Sequence, residues 1–150
     1  MRKILCLLAL LAIMITMVSC SAAKVENPIS YGKKYILNEN TYYVFNRDQT
    51  GYCEYYSEYR SDEYPEYDYT QSARIEFEWR EASNGAIYLF ETEVVYHEDH
   101  TEGKSVYLID CPIYFAEEFF TYTNSNQYST DAIIYIKEGS KLEKALENKE

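Results

Sequence analysis

The chain has 150 residues, a formal net charge of −11 at pH 7 and 18 tyrosines. This length suits one domain around a single hydrophobic core. Nucleic acids and anionic lipid headgroups both bind clustered lysines and arginines, so the negative charge argues against either as a partner. The same charge suits a soluble surface, or attraction to a cationic partner.

The first nineteen residues have the pattern of a signal peptide. Arg2 and Lys3 precede an apolar run at residues 4–17, and a small residue stands at the expected cleavage point. As a helix, this run would rise about 21 Å, which is short of the roughly 30 Å hydrocarbon core of a bilayer. An exported precursor is therefore favoured over a permanent transmembrane helix.

The apolar run ends in Met17, Val18, Ser19 and Cys20. This segment resembles the bacterial lipobox, in which an aliphatic and a small residue precede a cysteine, although Met17 stands where Leu is usual. The resemblance implies a lipid anchor on Cys20, with fatty acyl chains such as palmitate, and a position on the extracytoplasmic face of a bacterial cell membrane. Two acyl chains suffice for stable anchoring, at about 0.8 kcal/mol per buried methylene. An ordinary signal peptide with a chance cysteine is the alternative.

Two further cysteines, Cys53 and Cys111, follow in the expected mature chain. An exported protein permits a disulfide between them, which would contribute up to about 4 kcal/mol in the chain-entropy model. Two buried free thiols are the alternative. Residues 21–30 are small and polar, and they are predicted to form a tether.

Strand-forming residues dominate the remaining chain, and several runs alternate apolar and polar side chains. The clearest run, at residues 75–80, is followed by Asn84-Gly85, a strong hairpin signal. Strands are predicted at residues 34–37, 41–46, 50–59, 75–80, 86–96, 104–109, 113–123 and 131–137, and a short helix at 141–146. Short connections imply antiparallel neighbours. The prediction is an all-β domain at residues 31–138, an up-and-down antiparallel barrel or flattened sandwich of about eight strands, with a polar tail at 139–150.

Three segments carry a family resemblance: YVFNRDQTGY at residues 43–52, IEFEW at 75–79 and NGAIYL at 84–89. They resemble small bacterial lipocalin-like lipoproteins of uncharacterised function, which implies a calycin-type barrel and leaves the ligand open. Gln49 replaces the glycine usual in the first turn of that family. The special backbone angles of the turn are therefore expected at Asp48 or Gly51.

The segment at residues 52–69 is rich in both tyrosines and acids. Tyrosine rings and hydroxyls suit a cationic or sugar ligand, through cation–π contacts and hydrogen bonds. The alternative is a long hairpin whose rings cover one end of the barrel. The predicted ligand patch consists of Tyr55, Tyr56, Tyr59, Tyr64 and Tyr67.

His97 and His100 lie among three acids in a polar segment before Gly103. A divalent metal site and a polar hairpin loop are both compatible with this segment, and the flanking strands favour the loop. No carboxylate pair or nucleophile stands out as catalytic, and neither an enzyme nor a bound cofactor is expected. We expect a binding protein for a small molecule or glycan, with an inhibitor of a cationic protein or a structural envelope component as alternatives.

Overall fold

The computed structural model describes residues 27–125 and 130–148. The predicted signal peptide, the lipobox and Cys20 lie outside the described residues. The strands are β1 Lys34–Asn38, β2 Thr41–Phe45, β3 Thr50–Tyr59, β4 Tyr69–Glu81, β5 Ile87–Tyr96, β6 Tyr114–Phe115, β7 Phe119–Ser125 and β8 Thr130–Lys137. A 3-10 turn spans Pro65–Tyr67, and one helix, α1, spans Lys141–Glu147.

The eight strands form one curled antiparallel sheet in the order β5-β4-β3-β2-β1-β8-β7-β6. Strands that follow each other in the chain are neighbours, except that β1 pairs with β8 and β5 is not paired with β6 along a ladder. The backbones of Ile87 and Ile113 exchange two hydrogen bonds of 2.9 Å, so the two edges of the sheet meet at this point. The prediction of a mostly antiparallel all-β fold is confirmed.

Aromatic side chains fill the concave face of the sheet. Alternate residues of each strand point inward, and the largest fully buried side chains include Tyr35, Tyr43, Phe45, Phe77 and Phe120. The rings of Phe45 and Phe77 lie 5.4 Å apart, and Tyr43 contacts Phe120 edge to face at 5.7 Å. These are the separations at which aromatic pairs stabilise a core beyond the area they bury.

The hairpin between β2 and β3 corrects one expectation from the sequence. Neither Asp48 nor Gly51 takes the left-handed conformation; Gln49 itself does, with φ of 65°. Asp48 instead accepts hydrogen bonds from the backbone N–H and the hydroxyl of Thr50. Gly51 lies in β3, where an added Cβ would be 2.5 Å from both the Phe77 ring and the Val44 carbonyl oxygen. The glycine is therefore required for close packing, and the turn takes its special angles at Gln49.

Three predicted strands differ in the structure. The strand predicted at residues 75–80 is β4, which begins six residues earlier, at Tyr69. Residues 104–109 form no strand; Val106 and Ile109 are buried in the core instead, a spacing of three that strand alternation does not produce. This segment has no strand partner; instead, the Gln71 Nε2 donates a hydrogen bond to the Ser105 carbonyl. The predicted strand at 113–123 is divided into β6 and β7 by a turn at residues 116–118.

Both ends of the described chain contact the sheet. Ile29 is buried, and Asn27 donates to the Gly85 carbonyl at 3.0 Å, although both fall within the predicted tether. Helix α1 begins where the Ser140 hydroxyl accepts from the Glu143 N–H at 3.0 Å, which caps one of the free donors of its first turn.

Candidate functional site

A groove of about 450 Å³ lies on the convex face of the sheet, between the β1–β2 turn and the residues after β5. Its size falls within the range of small-molecule sites. We call it the acidic groove, and it is lined by Glu39, Asn40, Tyr42, Glu54, Tyr55, Tyr56, Ser72, His97 and Asp99. A second depression continues it along β3 toward Glu58 and shares the Glu39, Asn40 and Tyr56 walls.

Strand alternation places Tyr42, Glu54 and Tyr56 on the outer face. Cys53 points into the core, so its neighbour Glu54 points outward, and the β2–β3 register sets Glu54 directly opposite Tyr42. The Thr41 hydroxyl accepts from the Tyr56 N–H at 3.2 Å and donates to the Tyr56 carbonyl at 3.0 Å. This pair of bonds fixes the backbone from which the Tyr56 ring extends.

Glu54, in the acidic groove, already has two partners within the protein. Arg74 contacts Glu54 at 3.2 Å and Glu76 at 2.6 Å, and its guanidinium lies 3.6 Å from the centre of the Tyr52 ring. His97 Nε2 lies 3.0 Å from the second Glu54 oxygen. Glu54 therefore serves the sheet itself and is not available to an incoming charge.

The rim of the groove keeps negative charge. Among the described residues, neither Glu39 nor Asp99 forms an ion pair. The Tyr56 hydroxyl donates to Glu58 Oε2 at 3.1 Å; this hydrogen bond raises the pKa of Tyr56, and the charges of Glu58 and Asp99 raise it further. A hydroxyl that resists ionisation for these reasons lies in a negative potential, which attracts a cation.

One tyrosine ring of the groove remains open to a ligand. The Lys34 ammonium lies 4.3 Å from the centre of the Tyr42 ring, so a cation of the protein already occupies that face. In the described part of the chain, no aromatic or cationic side chain stacks on Tyr56. The half-buried ring combines a cation–π face with the nearby carboxylate of Asp99, whereas Glu58 is already paired with Arg60 at 3.2 Å.

The structure separates the five tyrosines of the predicted ligand patch. Tyr55 and Tyr56 are consecutive in β3 and point to opposite faces; burial raises the pKa of Tyr55 on the concave side. Tyr59 stacks on Tyr69 with ring centres 5.6 Å apart, and both lie at the end of the β3–β4 hairpin. Tyr64 and Tyr67 pack on each other at 6.2 Å within the loop. Of the five, Tyr55 and Tyr56 line the acidic groove, and the other three lie outside it.

The two histidines have separate structural partners. The His100 Nδ1 accepts from the Ser72 N–H at 3.0 Å, which leaves Nε2 to donate to the Lys104 carbonyl at 2.8 Å, and the ring packs on Tyr96 at 4.2 Å. His97 contacts Glu54 as described above. Across residues 27–125 and 130–148, no three His, Cys, Asp or Glu side chains are arranged to hold a metal ion.

Cys53 and Cys111 are both free thiols in the structure. Burial raises the pKa of Cys53 to about 12, so its thiol stays protonated and unreactive at neutral pH. The Cys111 thiol lies 3.8 Å from the Thr123 carbonyl, and desolvation raises its pKa as well. Neither is placed as a nucleophile.

Sequence reasoning did not single out most of the groove residues. Glu39, Asn40 and Tyr42 come from a two-residue turn and the strand after it, and Ser72 comes from the next hairpin. The available signal was the outward register of β2 and β3, which alternation alone could have given. Whether the β2 and β3 side chains lie close to Asp99 depends on the path of the chain after β5, which no local sequence pattern determines.

Comparisons with protein families, with characterised proteins and with solved structures found no match. In the described residues, none of the helices has the length and apolar character needed to span a bilayer. The site is therefore interpreted from its own geometry.

Proposed function

We propose that the protein is a binding lipoprotein, anchored through Cys20 on the extracytoplasmic face of a bacterial cell membrane, whose acidic groove binds the cationic group of a small ligand. The observation that carries this proposal is the half-buried Tyr56 ring, on which no described side chain stacks, beside a rim where Glu39 and Asp99 have no ion-pair partner among the described residues.

The chemistry of the groove favours an ammonium or guanidinium group. An aromatic face attracts a cation by roughly 0.5–1 kcal/mol at an exposed site, and each surface carboxylate adds up to about 1 kcal/mol. Together these contacts support a weak, salt-sensitive affinity for a small cation. A basic side chain of a larger protein fits the same contacts, so the cationic-protein alternative shares this site.

A lipocalin-like barrel is the architecture we propose, supported by the up-and-down order of the strands and by the Ile87–Ile113 bridge. Lipocalin-type barrels hold ligands inside. Here Tyr43, Phe45 and Phe120 fill the concave face, so the convex groove is the better ligand site. We propose binding and no catalysis, because the acidic groove contains no nucleophile paired with a base.

The test compares two ligands of nearly the same shape. The full chain in non-ionic detergent is titrated calorimetrically with Nα-acetylargininamide and with Nα-acetylcitrullinamide, which carries no charge, in 20 mM and 300 mM salt. We expect the arginine ligand to bind and the citrulline ligand to bind at least about tenfold more weakly, with the difference reduced at high salt. Equal affinity for the two ligands, or for a neutral oligosaccharide, would contradict a cation site.

A further inference from the structure

The outer edge of β5 is an open strand edge. β4 pairs with β5 on one side, from the Glu81–Ile87 pair to the Ala73–Tyr96 pair. On the other side, only Ile87 is bonded, to Ile113; residues 88–96 form no backbone hydrogen bond there with any described residue. A row of free N–H and C=O groups is a template for one more strand.

The exposure of β5 agrees with an unoccupied edge. Four consecutive residues of β5, 90–93, are exposed. In β4, which is paired on both sides, buried residues recur along the strand from Thr70 to Trp79. Large apolar side chains remain in solvent at both ends of the edge. Tyr88 and Phe90 are 39% and 45% exposed at the first end, and Val95 and Tyr96 are 49% and 51% exposed at the other.

Acidic residues occupy the middle of the same edge. Glu91 and Glu93 are exposed on either side of Thr92, which is the extra residue of a β-bulge in the pairing with β4. The edge therefore has an apolar, acidic, apolar order along its length. A strand added beside it would place its central residues against the two carboxylates and its ends against aromatic and branched side chains.

We propose that this β5 edge binds an extended peptide segment of a partner protein, with basic residues at its centre and apolar residues at both ends. Backbone hydrogen bonds to residues 88–96 hold the segment, and the order of side chains selects its sequence. The proposal goes beyond cation binding at the acidic groove, because it uses other residues and needs a peptide backbone.

Charge opposes a second copy of this chain as the occupant. In an antiparallel pair of two β5 edges centred on Thr92, the acidic middle of one copy would lie beside the acidic middle of the other. Like charges directly opposite each other destabilise a strand pair. The net charge of −11 opposes such a dimer further, and the same charges attract a basic segment.

The test uses the full chain in non-ionic detergent and a capped nonapeptide of valine and threonine with two central lysines. We expect binding measured by calorimetry and slowed amide hydrogen exchange in residues 88–96. The same peptide N-methylated at every residue keeps both lysines but cannot pair with a strand, and it should bind at least about tenfold more weakly. A peptide with two glutamates in place of the lysines should be weakened similarly.

Protein variants locate the site. Glu91→Lys combined with Glu93→Lys should reduce affinity for the lysine peptide about tenfold, whereas Glu63→Lys with Glu66→Lys, which changes net charge equally in the β3–β4 loop, should reduce it less than threefold. Undiminished binding of the N-methylated peptide, or exchange protection confined to residues 39–42 and 97–99, would overturn the proposal. Self-association through β5 without peptide, seen by sedimentation, would also overturn it.

Discussion

The replacement Gly51→Ala tests the register of three strands at once. An alanine Cβ would lie 2.5 Å from two carbons of the Phe77 ring and 2.5 Å from the Val44 carbonyl oxygen. Comfortable carbon contacts are about 3.5–4.0 Å, so the ring would need to retreat by roughly 1 Å. Phe77 is 1% exposed and packs between Tyr43 and Phe45, and the Val44 oxygen belongs to the β2–β3 ladder. Neither neighbour can move without loss of other contacts.

Overpacking of this kind costs typically 1–3 kcal/mol, and the involvement of backbone places Gly51→Ala near 3 kcal/mol. For a domain of this size, the melting temperature should fall by about 10 °C. Urea unfolding can be followed by fluorescence of Trp79, the single tryptophan, which is 5% exposed. Gly103→Ala is the control: its φ is 78° but no atom lies within 4 Å, so it should cost only about 1 kcal/mol. A loss below about 0.5 kcal/mol for Gly51→Ala would refute the packing described here.

Three further predictions concern stability. Gln49→Gly should raise the free energy of unfolding by about 1 kcal/mol, because glycine takes φ of 65° without the Cβ penalty, and an unchanged urea midpoint would contradict that conformation. Folding raises the pKa of Cys53 from about 9 to about 12, so the contribution of this thiol to the free energy of unfolding should be full below pH 9 and decline as the pH rises toward 12. Cys53→Ala should therefore make the alkaline loss of stability shallower. An equal loss in both proteins would contradict the burial of Cys53. Arg74→Met should cost about 1–2 kcal/mol in thermal unfolding at low salt, through loss of the Glu54 contact and of the Tyr52 cation–π contact at 3.6 Å. Arg80→Met loses a more exposed pair with Glu78 and a more distant cation–π contact with Phe90, at 4.9 Å, and should cost less than Arg74→Met; an equal loss in both variants would contradict the contacts of Arg74.

Much of the fold follows from local patterns in the sequence. Alternation and turn residues predict β3 at Thr50–Tyr59 with its observed bounds, and they predict β1, β2, β5, β8 and the terminal helix within one or two residues. Asn84-Gly85 marks a hairpin, and Gly85 has φ of 82° there. These elements are predictable because residues a few positions apart determine them.

Tertiary contacts decide the elements that the sequence did not predict. Residues 104–109 have the composition of a strand, yet burial of Val106 and Ile109 beneath the sheet replaces strand pairing. In the β2–β3 hairpin, packing beneath Phe77 requires a glycine at position 51, while the left-handed conformation falls on Gln49. Such choices depend on partners distant in sequence, which local propensity does not include.

The acidic groove also depends on contacts between residues distant in sequence. The tyrosine-rich segment was predicted as one patch, but the period of two along β3 places Tyr55 and Tyr56 on opposite faces. The carboxylates that accompany Tyr56 come from the β1–β2 turn and from the chain after β5. The sequence predicts an acidic aromatic surface, and only the sheet order shows which acids meet which ring.

In the proposed function, Glu39 and Asp99 on the groove rim hold a cation beside Tyr56. The most direct measurement is the affinity of the Glu39→Gln, Asp99→Asn double variant for Nα-acetylargininamide at 20 mM salt, compared with the unmodified chain and with a Glu63→Gln, Glu66→Gln control of equal net charge. Loss of two surface carboxylate contacts predicts about tenfold weaker binding for the groove variant, and less than twofold for the control. Equal affinities in all three proteins would contradict the claim.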